Sequence, residues 1–181
     1  MREPSSASGA AKGEPMQKRL VRTMLWLDLS IVVIALDLWT KSLAVAHLSL
    51  YQPVAVFPHF NLMLAHNSGA AFSFLADAGG WQRWFFAGIA VALTVFMTAW
   101  IWQLKAGQRW LACALALVIG GALGNLWDRV TLGYVIDFLD FWWGDYHFPA
   151  FNIADSAITV GALMLIGEML FNPEKAEGKP A

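Results

Sequence analysis

The residues best equipped for chemistry are aspartates set among apolar neighbours. Asp137 and Asp140 lie in Tyr134-Val-Ile-Asp137-Phe-Leu-Asp140-Phe, and Asp155 lies in Phe148-Pro-Ala-Phe-Asn152-Ile-Ala-Asp155-Ser. Asp128 closes Gly124-Asn125-Leu-Trp-Asp128-Arg129, and Asp145 follows Gly144 between aromatic residues. Two carboxyl groups sharing one proton can activate a water molecule and protonate a leaving amine, as in aspartic proteases. These five aspartates compete for that role, and their order along the chain does not choose a pair. Asp128 is the poorest candidate, because Arg129 beside it favours a permanently ionised carboxylate. Other reagents are weak. Cys113 lies in an apolar run and reads as a buried, inert thiol. His47, His59, His66 and His147 have no metal-ligand spacing, so neither metal nor organic cofactor is expected.

Polar partners accompany the acids. Asp37 and Lys41 are four apart, share a helix face and can pair. That pair is either a structural device that lets both charges enter a bilayer or a group that positions a substrate-side residue. Asn125 and Asp128 share a face three residues apart. Asn152 followed by Asp155 reads as a helix N-cap with an acid at the third helical position, which taken alone is simply how a helix starts.

The elements that must hold these groups are membrane helices. Of 181 residues, 58% are hydrophobic and 14% charged, with mean hydropathy +0.52. A soluble domain carries about 45–50% apolar and about 25% charged residues, so an ordinary soluble enzyme is excluded. A disordered chain is excluded by the same figures. A net charge of −1 gives no reason to expect nucleic acid. Four apolar runs, at about 24–48, 84–104, 110–127 and 153–171, suit the ~20 residues a helix needs to cross a bilayer. Most of the ten tryptophans lie near the ends of these runs or in the last long loop, where indole prefers the interface; Trp39 lies inside one. Arg2, Lys12, Lys18, Arg19, Arg22, Lys105, Arg109, Lys175 and Lys179 fall on one side, against Lys41, Arg83 and Arg129 on the other. The positive-inside rule therefore puts both termini in the cytoplasm and the loops at about 49–83 and 128–152 outside.

Residues 1–22 are expected to be a disordered cytoplasmic tail, 23–171 a single four-helix domain and 172–181 a second cytoplasmic tail. Ala44-Val45-Ala46 has the small-residue look of a secretory cleavage site, but the apolar stretch is too long and is interrupted by Asp37 and Lys41. The first outer loop predicts a hairpin from Val54–Phe57 and Phe60 to Ala65, then a turn at His66-Asn67-Ser68-Gly69 and an apolar patch over 70–75. The second is aromatic and acidic and is expected to lie in the interface and to move as a lid. Gly120 and Gly124 predict close helix packing. The fold class is thus membrane all-α: four transmembrane helices with a small extended or β patch and an interfacial loop on the periplasmic side.

Four blocks carry a family resemblance. They are Asp37-Leu-Trp-Thr40-Lys41, Asn67-Ser-Gly69-Ala-Ala71-Phe72, Gly124-Asn125-Leu-Trp-Asp128-Arg129 with Val135-Ile-Asp137-Phe138, and Phe148-Pro-Ala-Phe151-Asn152-Ile-Ala154-Asp155-Ser156. In this order the chain resembles the bacterial lipoprotein signal peptidases, or signal peptidase II, over about 37–171. The resemblance implies an intramembrane aspartic endopeptidase of the inner membrane. It would cut the signal peptide from diacylglyceryl-modified prolipoproteins just before the lipidated cysteine, at a site near the periplasmic face. It puts the catalytic pair on Asp137 and Asp155 and supporting roles on Asp37, Lys41, Asn67, Asn125, Arg129 and Asn152. The implied partners are lipid-modified prolipoproteins and membrane lipids, with the chain a monomer. A small transporter or proton-relay protein is the rival reading, because intramembrane Asp and Lys suit that too. Against it, four spans are few and the acids gather at one face. Within the pair, a helix N-terminus favours charge on Asp155, and the apolar neighbours of Asp137 favour its neutral form.

Overall fold

Inside a bilayer a chain must satisfy its own backbone hydrogen bonds, and long apolar runs do so as helices. In a computed structural model, which describes residues 14–69 and 80–171, four such helices form: α1 (Met16–His47), α2 (Trp81–Gln103), α3 (Arg109–Thr131) and α4 (Ile153–Phe171). All four are long and apolar enough to cross a membrane. The terminal tails and the apolar patch at 70–75 lie outside the described residues, apart from the stretch just before α1.

The last span begins and ends where hydropathy predicts. The first starts earlier, at Met16, so residues 16–22 are helix rather than tail. Pro15 opens the helix, with Lys18 and Arg19 donating their backbone N–H to its carbonyl. Arg19 and Arg22 then reach across and donate to the carbonyls of Trp102 and Leu104. These are end groups of α2 that no helical N–H can satisfy.

Helix α3 is the centre. It packs against α1, α2 and α4, and Ala114, Leu115 and Ala116 have no exposed surface. Small residues permit that closeness. A Cβ on Gly121 would stand 2.3 Å from the Ala154 carbonyl oxygen, so α4 can approach only a glycine there. The other helices turn Ile31, Val95, Phe96, Leu163 and Ile166 outward, as lipid contact requires.

The extended patch is a four-stranded antiparallel sheet in the order β1 (Val54–Phe57), β2 (Phe60–Asn67), β3 (Val135–Trp143), β4 (Tyr146–His147). The first hairpin forms where expected, with His59 at φ 69° in its turn, but β2 runs on through His66 and Asn67, where a turn was expected, because both pair with β3. The second outer loop differs: nine of its residues form β3, paired to β2 from Phe60↔Phe141 to Asn67↔Val135. Its β-branched and aromatic residues favour a strand. Val135, Ile136, Asp137 and Phe138 are all buried, so both faces are covered and no polar alternation marks it in the sequence. Leu64, Ile136, Phe138 and Ala44 form a small core that seats the sheet on the end of α1.

Candidate active site

Where the sheet meets the helix ends, the polar residues of all four sequence blocks converge. The first layer is built on Lys41. Its buried Nζ lies 2.7 Å from Asp37 Oδ2, 2.9 Å from Asp128 Oδ2 and 3.0 Å from Asn125 Oδ1. Asp37 is thus paired four residues along its helix, but its other oxygen accepts the backbone N–H of Ala154 at 2.9 Å, tying α1 to the start of α4. Gly124 makes room for this carboxylate, since a Cβ there would lie 2.7 Å from Asp37 Oδ2. The Asp37–Lys41 pair is therefore a structural ion pair whose lysine also bonds Asn125.

The second layer hangs on that asparagine. Asn125 Nδ2 donates to Asp155 Oδ1 at 2.7 Å, while Asn125 Oδ1 accepts from Lys41 and from Asn152 Nδ2 at 3.1 Å. Asn152 is fully buried and caps α4. Its Oδ1 accepts the N–H of Asp155 at 2.9 Å, and its own N–H donates back to Asp155 Oδ2 at 3.3 Å. This reciprocal box is the cap expected from sequence. The amide end of the same side chain does something further: Nδ2 donates to Asp137 Oδ1 at 2.7 Å and to the Ile136 carbonyl at 3.1 Å. One asparagine thereby touches both aspartates. Asn67 completes the set from β2, donating to Asp137 Oδ2 at 3.1 Å while its Oδ1 accepts the N–H of Gly69. The rest of that sequence block, Ala70 to Phe72, lies outside the described residues.

The two aspartates are not equivalent. Asp137 has 2% of its surface exposed. Burial pushes its carboxyl up to about 7 from 3.8, and the charge of Asp155 adds to the rise. Asp155 is only partly buried and borders a cleft of about 550 Å³ that runs down α4 past Ile158 and Val160. Arg129 lines the same cleft, with its guanidinium 5.4 Å over the Phe86 ring and one N–H on the Asn125 carbonyl.

The eight residues that the family resemblance assigns to this site, Asp37, Lys41, Asn67, Asn125, Arg129, Asp137, Asn152 and Asp155, lie together in it. Asp128, set aside for the shared proton, is a further member. It is not in ion-pair contact with Arg129, its neighbour in sequence, because consecutive helix residues point about 100° apart. Asp128 turns instead to Lys41 and accepts the N–H of Ile136 at 3.1 Å, fixing the start of β3. Its spacing of three from Asn125 was the usable signal. Asp140 and Asp145 do not join. Asp140 is held by Asn61 at 2.8 Å and His147 at 3.0 Å, and Asp145 sits exposed in the β3–β4 turn.

Comparison with known proteins agrees with this geometry. The profile of the family described as Signal peptidase (SPase) II matches residues 29–171. Lipoprotein signal peptidases of Yersinia pseudotuberculosis (serotype O:1b, strain IP 31758) and Yersinia pestis (strain Pestoides F) are each 52% identical to the chain over 159 residues. Each alignment covers 87% of this chain and 94% of the relative. Two solved structures, described as bacterial membrane enzymes determined by the in meso method at 2.3 and 1.9 Å, superpose with TM-scores of 0.73 and 0.71 at 29% and 30% identity. They cover 88% and 82% of this chain, and 92% and 94% of their own.

Proposed function

The chain belongs to the signal peptidase II family, a multi-pass membrane protease of aspartic type that removes signal peptides from prolipoproteins, and within that activity we propose Asp137 and Asp155 as the catalytic pair. The observation that carries this is the Asn152 side chain. It bonds Asp137 with its amide and Asp155 with its carbonyl, so residues eighteen apart share one frame.

At rest Asp137 carries the proton and Asp155 is ionised, a division favoured by the burial of the first and the helix N-terminus under the second. Asp155 takes a proton from a water as its oxygen attacks the scissile carbonyl, and Asp137 passes its own proton to the carbonyl oxygen. Collapse of the resulting diol sends the Asp155 proton to the leaving amine and returns a hydroxyl proton to Asp137. The C–N bond breaks, and the pair is restored. Asn67, Asn125 and Asn152 hold the two carboxyl groups without fixing their charge. Lys41, itself held by Asp37 and Asp128, holds Asn125, and Arg129 faces the substrate in the cleft.

The substrate class is a prolipoprotein bearing a diacylglyceryl cysteine, cut just before that residue. The apolar cleft along α4 suits acyl chains and a signal helix. We propose that the chain works as a monomer in the bacterial inner membrane, its domain spanning about 16–171, with both termini cytoplasmic and the site near the periplasmic face. Arg19, Arg22, Lys105 and Arg109 lie at the end of the bundle opposite the pair, which supports that orientation. The transporter reading is not favoured by the family or by acids that share the Asn152 side chain.

In purified enzyme with a lipidated prolipoprotein, Asp137→Asn and Asp155→Asn should each lose about 10²–10⁴-fold in kcat. Asp140→Asn should lose far less. Full activity in either of the first two overturns the assignment.

A further inference from the structure

The catalytic pair stands between two spaces, of which the second has the more polar lining. The cleft along α4 takes in Asp155. A second, open groove of about 790 Å³ takes in Asp137 and, apart from the wall the two share, is lined by the sheet and the turn before it: Tyr51, Met63, His66, Asp140 and His147. The wall between them is Phe148-Pro149-Ala150, with Asn67 and Gly69 lining both sides. A peptide bond held between the aspartates must therefore send one arm of the substrate each way.

We infer that the sheet groove binds the polar segment of the substrate that follows the lipidated cysteine, in extended form, with Tyr51 and His147 as its specificity-determining contacts. This rests on the proposed catalytic pair. The signal helix and acyl chains claim the apolar cleft, which leaves the groove to the water-soluble arm. Tyr51 is placed at the groove by its backbone: it holds φ 57° in a turn closed by the Gln52 N–H on the Ser49 carbonyl, its own N–H donates to the Leu64 carbonyl, and the residue is 59% exposed. His147 is half-exposed, and its Nδ1 is engaged by the buried Asp140, which Asn61 also holds. In the neutral ring the proton then sits on Nδ1, so Nε2 is an acceptor for a substrate backbone N–H.

The test uses two substrates with the same signal peptide and lipid. One ends two residues after the lipidated cysteine and the other continues for about six more polar residues, enough to cover a groove this size in extended form. The full-length enzyme should favour the longer substrate about threefold to tenfold in KM, with kcat little changed, the factor one net hydrogen bond supplies. Tyr51→Gly suits the left-handed backbone and removes only the ring, and His147→Ala removes the acceptor. In each the KM ratio between the two substrates should fall towards one, and His147→Gln should recover part of it. Because the preference is a ratio within one preparation, incomplete folding of a variant does not disguise the result. Equal KM values for both substrates in the unaltered enzyme, or an unchanged ratio in both Tyr51→Gly and His147→Ala, overturns the groove. Activity surviving in Asp137→Asn overturns the catalytic pair instead, and the two failures are distinct.

Discussion

Asp37 and Asp128 each have the Lys41 ammonium within 2.9 Å, whereas Asp137 and Asp155 receive only amide N–H groups, from Asn67, Asn125 and Asn152. Among the described residues no cation stands at ion-pair distance from either member of the second pair. Four carboxyl groups thus share one buried cluster under two regimes. The first pair is bound to one buried ammonium and serves as scaffold. An amide accepts either protonation state of its neighbour at modest cost. The second pair can therefore hold one proton between two oxygens and pass it on. The difference between scaffold and reagent here is the identity of the donor, ammonium or amide.

The most damaging way to break this contrast is to remove the ammonium. Lys41→Met leaves Asp37 and Asp128 as buried carboxylates without a counter-ion, which costs about 3–5 kcal/mol in buried pairs. Thermal unfolding of the purified protein in detergent should show a large loss of stability. Unchanged stability would mean that the cluster does not need its cation.

Asp137→Asn sets the opposite case. It should abolish most activity at a small cost in stability, about 1 kcal/mol, since it brings no buried charge and only one of the Asn67 and Asn152 amides loses its acceptor. The pH dependence sharpens the point. The carboxyl of folded Asp137 sits at about 7, above its ordinary 3.8, so between those values the folded protein keeps a proton that the unfolded chain has released. Stability therefore falls as pH rises from about 4 to 7, at up to about 1.4 kcal/mol per pH unit. Denaturant unfolding across that range should be flatter in Asp137→Asn, and activity of the unaltered enzyme should decline above about pH 7 as the acid is lost. Matching slopes in the two proteins would count against the raised carboxyl.

A finer cut separates the two ends of Asn152. Aspartate caps a helix about as well as asparagine, so Asn152→Asp should retain α4. It loses the N–H that reaches Asp137 and adds a negative charge beside it. We expect about 10–100-fold lower kcat, with a melting temperature lower by a few degrees at most. A parallel collapse of both quantities would show that the cap alone explains the residue.

The membrane helices were legible because one property, apolar length, decides them. Ile153–Phe171 is bounded as the hydropathy implies, while α1 begins early because arginines and lysines form helix readily once α2 offers them carbonyls. Strand β3 was not legible, since burial on both faces erases the alternation that marks a strand. The site was legible as a set of residue types and family blocks, but not as a network. Lys41 and Asn125 lie 84 residues apart, and nothing local reveals their bond. That Asp128 contacts Lys41 on another helix was likewise not legible from its neighbour Arg129. Asn152 was judged correctly as a cap and incompletely as a side chain with two ends.

The scaffold and reagent halves should also differ in motion, though this is the smallest effect. The second outer loop was expected to move as one lid. With β3 paired to β2 and bridged by Phe151 to Leu139, the freedom is confined to the β3–β4 turn and the Phe148-Pro149-Ala150 wall. That wall lines both spaces beside the amide-held pair, and Asp145 and Tyr146, shortly before it in the chain, are exposed. A spin label at Asp145, paired with one at Val56 in β1, should shift by more than about 2 Å when a lipidated substrate analogue binds. A label at Leu139 in β3 should hold its distance to Val56, because that strand is fixed by Asp128 at one end and β2 along its length. A common shift at both positions would make the whole sheet the moving part, and the aspartate on β3 would then travel with it rather than wait beneath a closing wall.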